Sequence, residues 1–134
     1  MRALVLFLAL MLAVAPAGAE EAPDAPAIIS RQLDAFARDD AKAAFAFAAP
    51  PIQDKFADAA SFMAMVKAAY PPVYRHRSVQ FGAQSRDGDR IEQAVTFVDA
   101  DNDVWVGVYT LVRQDDGGWK ISGCALARSD ETSL

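Results

Sequence analysis

Val104-Trp105-Val106-Gly107-Val108-Tyr109-Thr110-Leu111-Val112 is the stretch that decides the fold. It is filled with β-branched and aromatic residues and reads as a β-strand. Its even positions are Val104, Val106, Val108, Thr110 and Val112; its odd positions include Trp105, Gly107, Tyr109 and Leu111. Both faces are largely apolar, whereas a sheet with one solvated side alternates apolar with polar residues. Working outward, Val79-x-Phe81-x-Ala83, Ile91-x-x-x-Val95-x-Phe97 and Trp119-x-Ile121 read as further strands. Between them lie the turn signals Arg86-Asp87-Gly88-Asp89, Asp99-Ala100-Asp101-Asn102 and Asp115-Asp116-Gly117-Gly118. Gly and Asp tolerate the positive φ of tight hairpins, so the second half is an antiparallel meander of about four strands.

The first half has the other period. Ile28, Ile29, Leu33, Phe36 and Ala37 share one face at helical spacing. Asp39-Asp40 ends that helix and offers a cap for a second over Ala41 to Ala48. Pro50-Pro51 stops it, and Pro51 opens a short helical segment carrying Ile52 and Phe56. Asp58 or Ser61 starts another, with Phe62, Met65, Val66 and Ala69 on the buried side, and Pro71-Pro72 ends it. Val73 to Arg77 reads as a short strand or an irregular connector. Helices segregated ahead of a meander predict an α+β fold, with N-terminal helices packed across one face of an antiparallel sheet. The other face then needs a ligand, a partner chain or a long loop.

Residues 1–19 read as a secretory signal peptide: Arg2, an apolar run from Ala3 to Ala15, Pro16, then Ala17-Gly18-Ala19 ahead of Glu20. The run is shorter than the ~20 residues that span a bilayer, and no Cys follows it, so no membrane anchor is expected after removal. The expected location is exported, periplasmic or secreted. Residues 20–27 read as an extended lead-in, 28–128 as a single domain and 129–134 as a polar tail. Without Arg2 the 13 basic residues become 12 against 18 acidic, a balance of −6. Such a chain is repelled by nucleic acid and by anionic membrane surfaces.

Cys124 is the one cysteine and His76 the one histidine. An intramolecular disulfide is excluded, and the usual zinc or copper ligand set cannot be assembled within one chain. Cys124 sits in the apolar pattern Ile121 to Ala127, where a free thiol behaves as a small hydrophobe. Asp99-x-Asp101-x-Asp103 spaces oxygens like a calcium loop, but Val104 replaces the turning Gly and Thr110 the bidentate Glu. No metal or cofactor is expected, and no nucleophile elbow or phosphate-cradling loop occurs.

Candidate binding residues are Trp105, Tyr109 and Glu92 on the sheet, and Tyr74, Arg75 and His76 ahead of it. Arg75-His76-Arg77 beside Tyr74 suits a carboxylate or phosphate through charge-assisted bonds, or else balances nearby carboxylates. If the hairpin before Val104 has two or four loop residues, Ile91, Val95 and Phe97 share a face with the valines. Trp105 and Tyr109 then face Glu92 and Thr96, and apolar surroundings make Glu92 and Tyr109 an acid–base pair. One residue more or less in the loop reverses the assignment.

Several of these segments carry a family resemblance: I29-S-R-Q-L-D-A-F36, D39-D-A-K-A-A-F45, F47-A-A-P50, I52-Q-D-K-F56, F62-M-A-M-V66, Y70-P-P-V73 and G118-W-K-I-S-G123. Together they resemble domain-of-unknown-function family 4864, a group of exported bacterial proteins. The G-W-x-I-x-G ending is similar to that of cone-shaped α+β domains of the nuclear-transport-factor-2-like kind. That likeness implies helices folded over a curved sheet. It implies no catalytic residue, because the family has no established activity and the superfamily hosts enzymes, binding proteins and plain dimers alike. The expected function is a non-catalytic exported module binding a small apolar or amphipathic molecule, or a partner, through the pocket or sheet face. The alternatives are a pocket enzyme of isomerase or dehydratase type using Glu92, Tyr109 or His76, and a structural homodimer without a ligand.

Overall fold

The computed structural model describes residues 23–129. The segment expected to be a signal peptide, the first residues of the expected lead-in and the tail beyond Ser129 lie outside the described residues. Helix α1 (Ala25–Ala37) begins earlier than the apolar periodicity indicates, because the Asp24 carboxylate accepts from the Ala27 N–H at 3.0 Å and Pro26 sits in the first turn. Ala25–Ala27 of the expected lead-in are therefore helical. Its C-terminus closes through Asp39 at φ 55°, with Asp40 N–H donating to the Ala35 carbonyl at 2.9 Å. Asp40 then caps α2 (Ala41–Ala46) by accepting from Ala43 N–H at 3.0 Å.

Helix α3 (Pro50–Gln53) is a single proline-led turn, and α4 (Ala59–Ala69) is capped by Asp58, which accepts from Ser61 N–H at 2.8 Å. Pro71 cannot continue α4, and a new turn, α5 (Pro71–Tyr74), takes in Val73 and Tyr74 of the expected strand or connector, while Arg75–Arg77 form an irregular connector. No helix among the described residues is long and apolar enough to cross a membrane.

The sheet is a meander in the order β1 (Ser78–Asp87), β2 (Arg90–Val98), β3 (Val104–Arg113), β4 (Trp119–Arg128). All neighbours are antiparallel, and bulges interrupt the register between Phe81 and Gln84 and beside Thr110–Leu111. Gly88 (φ 59°) and Gly117 (φ 86°) supply the left-handed turn residues of the outer hairpins. The helices cover one face, burying Ile91, Val95, Phe97, Tyr109, Leu111 and Ile121 against Ile29, Leu33, Phe36, Phe62 and Val66. Phe62 is the aromatic hub, with ring centroids 6.0 Å from Phe36, 5.2 Å from Phe45 and 5.5 Å from Phe56.

The conditional pairing of Trp105 and Tyr109 with Glu92 and Thr96 does not form. Val98 pairs with Val104, so the β2–β3 loop runs from Asp99 to Asp103 and has an odd number of residues. Phe97 thus faces Trp105 and Gln93 faces Tyr109 across the strands, and the register is the reversed one. Asp99 explains the extra residue: its carboxylate accepts from the N–H groups of both Asp101 and Asp103 at 2.9 Å, drawing Asp103 into the turn. Asn102, at φ 63°, takes the left-handed position.

One further contact joins the layers. Ala49 N–H donates to the Ile121 carbonyl at 2.7 Å and Ile121 N–H to the Phe47 carbonyl at 2.8 Å, forming a short parallel bridge on the β4 edge. Gln53 Nε2 steadies this turn by donating to the carbonyls of Phe45 and Ala48, each at 3.1 Å.

Candidate functional site

Between the helices and the open end of the inner sheet face lies a cavity of about 300 Å³. Phe36, Phe62 and Val66 from the helices and Tyr109, Ile121 and Cys124 from the sheet form its interior. Ile52, Phe56, Met65 and Tyr70 are half-buried around the opening, and exposed Lys55 stands among them. The turn from Phe47 to Ala49 is pinned to the β4 edge at Ile121, and Ile52, Lys55 and Phe56 just beyond it line the cavity. Its walls are mainly apolar, with a few polar atoms, the usual make-up of a small-molecule site.

Tyr109 is the polar centre of this space. It is 1% exposed, and its hydroxyl has no nitrogen or oxygen hydrogen-bond partner among the described residues. Burial pushes its pKa well above the ordinary 10.0, with the neighbouring Cys124 adding to the shift, so the phenol stays protonated. The Cys124 thiol is close enough to interact, but sulfur is a weak partner and leaves the hydroxyl unsatisfied. Burial also drives Cys124 up to about 12, against a smaller opposing pull from Tyr109. A thiol so placed is a poor nucleophile. Gln32, 4% exposed, adds an amide whose Nε2 is spent on the Ala44 carbonyl at 3.1 Å. Ser122 lines the space as well, its hydroxyl donating to the Thr110 carbonyl at 3.2 Å.

The other candidates are placed elsewhere. Trp105 lies on the same face as Tyr109 but does not line the cavity; its Nε1–H donates to Asp99 at 2.8 Å and Arg128 lies over its ring at 5.1 Å. Glu92 is on the opposite face, exposed and paired with Arg90 at 3.2 Å, so it and Tyr109 are not brought together.

The basic cluster is split among three tasks. Arg75 spans the Phe36 carbonyl (2.8 Å) and Asp39 (3.1 Å) while its guanidinium stacks on Tyr74 at 3.9 Å. Tyr74 donates its own hydroxyl to Asp39. That bond, ahead of the charges of Arg75 and Lys67, holds the Asp39 carboxyl below its usual range. His76 turns inward, with Nδ1 2.9 Å from the Pro72 carbonyl and its ring 5.2 Å from that of Phe97. Arg77 reaches Asn102 at 3.0 Å. Tyr74 and Arg75 therefore tie α5 to the end of α1, and His76 packs α5 against Phe97 of the sheet. Among the described residues, Arg75 alone of the cluster balances a carboxylate, Asp39.

Among the described residues, no three of His, Cys, Asp and Glu converge as metal ligands. Lys55, Tyr70, Gln32 and Cys124 went unrecognised as pocket residues, because they come from four separate places in the chain. The usable signal was I52-Q-D-K-F56, a short amphipathic turn with a lysine between two apolar residues.

A family model described as a domain of unknown function, DUF4864, matches residues 19–134. The chain belongs to the DUF4864 family. No curated protein matches it. In this DUF4864 domain the string F45-A-F-A-A-P50 has a physical role, since it forms the turn that docks on Ile121 and frames the cavity. Trp119, from the G-W-x-I-x-G ending, stacks under Arg86 at 5.2 Å, with Ile121 receiving the docked turn two residues later.

Proposed function

We propose that this DUF4864 domain is an exported, non-catalytic module that binds a small, mostly apolar molecule between its helices and its sheet. The observation that carries the reading is the Tyr109 hydroxyl, fully buried, unsatisfied and lining a cavity of about 300 Å³. A buried hydroxyl without a partner costs ~1–3 kcal/mol, and a bound ligand with a polar atom would recover it. Among the described residues the lining brings a phenol, a thiol and a lysine but no carboxylate or imidazole, which favours binding over isomerase- or dehydratase-type acid–base chemistry. Helices laid over one face of a meander support grouping the domain with nuclear-transport-factor-2-like folds. The signal-like residues 1–19, ahead of and barely overlapping the family match, support export.

Native mass spectrometry of the purified protein, followed by thermal-shift measurements on stripped material, tests this. Small apolar molecules should raise the melting temperature, and Met65→Trp, which crowds the opening, should remove the effect. Equal responses from Met65→Trp and the parent would sink the pocket.

A second reading concerns the outer sheet face. Val104 and Val108 are 37% and 40% exposed there. Val106 and Val112 share the face, and Ala94, Ala125 and Ala127 flank the strip by register. Small flanking residues let a second sheet approach closely, so we propose that another copy of this chain covers the strip. A stable dimer would bury ~1,200–2,000 Å². Light scattering should show a dimer that Val108→Lys splits; a monomer at every concentration overturns this reading.

A further inference from the structure

We propose that the occupant of the cavity is a small amphipathic organic acid, held with its anionic group at Lys55 and a neutral polar end at Tyr109. The proposal rests on the pocket-binding reading above and specifies its ligand. Lys55 is the charged side chain among the residues lining the cavity, and it is exposed at the opening. It makes no ion pair among the described residues, whereas Lys67 is committed to Asp39. The adjacent Asp54 makes no ion pair with Lys55, and Asp58, three residues further on, is occupied in capping α4 through Ser61.

The two polar ends of the cavity differ in kind. At the opening a cation meets water, so an anion there keeps part of its hydration and gains a charge-assisted bond. At the buried end the partner is a neutral phenol held protonated by burial. A carboxylate placed at that end would be desolvated with no compensating charge, which is costly. A hydroxyl or carbonyl suits it, because the phenol both donates and accepts. Phe36, Phe56, Phe62, Val66 and Ile121 between the ends require an apolar body. A volume of about 300 Å³ with one open end suits a body of roughly ten non-hydrogen atoms, at the ~30 Å³ that a water occupies in the liquid.

Octanoate, octanol and octylamine share one tail and differ in the head, and ω-hydroxyoctanoate adds a polar far end. Calorimetric titration of each into the purified protein separates the outcomes. Octanoate should bind about fivefold tighter than octanol, with octylamine weakest, and the advantage should shrink as salt rises. Lys55→Gln should erase the octanoate advantage and leave octanol unchanged. Tyr109→Phe should weaken ω-hydroxyoctanoate about fivefold and leave octanoate unaffected. Octanol binding as tightly as octanoate would overturn the acid while leaving the pocket standing. Unchanged ω-hydroxyoctanoate affinity in Tyr109→Phe would overturn the assigned orientation. Absence of binding by all four probes would overturn both the acid and the pocket.

Discussion

Trp105 and Tyr109 stand four positions apart on the same face of β3, and both are aromatic residues with a polar handle. Their surroundings are opposite. The Trp105 N–H is taken up by Asp99 and its ring is covered by Arg128, while the Tyr109 hydroxyl has nothing among the described residues but the weak Cys124 thiol and fronts a cavity. A buried polar group that is bonded contributes to the fold, and one left unbonded marks where something else is expected to sit. Exposure alone would have misled here, because Tyr109 is the more deeply buried of the two.

The comparison can be broken from either side. Trp105→Ala should cost about 3 kcal/mol of stability through lost packing and a released Asp99 loop, seen as a lower urea midpoint. Little change there would mean that Trp105 is free for binding after all. Gly107 lies between the two aromatics, and a Cβ on it would approach the Ala125 carbonyl oxygen at 2.7 Å and Leu126 Cδ2 at 2.8 Å. Gly107→Ala should therefore cost about 1–3 kcal/mol, measured by the same unfolding titration. Tyr109→Phe removes the unsatisfied hydroxyl and should stabilise ligand-free protein by about 1 kcal/mol. A loss of similar size would show that the hydroxyl has a partner in solution.

Acid should act at Trp105, through Asp99, and at two helix ends, through Asp58 and Asp39. Asp99 has its pKa lowered below 3.8, first by the bond from Trp105; Asp58 is lowered first by the Ser61 N–H and Asp39 first by Tyr74. A carboxylate with a depressed folded-state pKa contributes stability that is complete above its unfolded value and lost as pH falls through the folded one. Urea midpoints should thus hold down to about 3.8 and drop below it, with Asp99→Asn flattening part of the drop. The smallest effect belongs to Glu92→Gln, which should move stability by less than ~0.5 kcal/mol and leave binding untouched.

The layer architecture was legible in the sequence because its signals are local: the caps Asp40 and Asp58, the proline stops and the alternation within each strand. The sheet register was not, since it hinged on whether Asp103 belongs to a turn or to a strand. That is decided by two N–H bonds to one carboxylate, which spacing does not reveal. Gln93 was passed over for a related reason. It is buried because β1 bulges opposite it, giving its amide the Gly82 carbonyl and Gln84 as partners. The pocket was legible only as an expectation, because its lining is assembled from α1, the α3–α4 region, α5, β3 and β4.

The bridge from Phe47–Ala49 to Ile121 also governs how this chain avoids aggregation. An open sheet offers two rows of unpaired peptide groups to other chains. On β4 the row is blocked at Ile121 by the docked turn. On β1 the irregularity between Phe81 and Gln84 twists the strand, and Arg86 and Asp87 place charge near its end. Neither border offers a long, flat template for strand addition, so the domain is guarded against fibril-like growth along its edges while its outer face stays free for recognition.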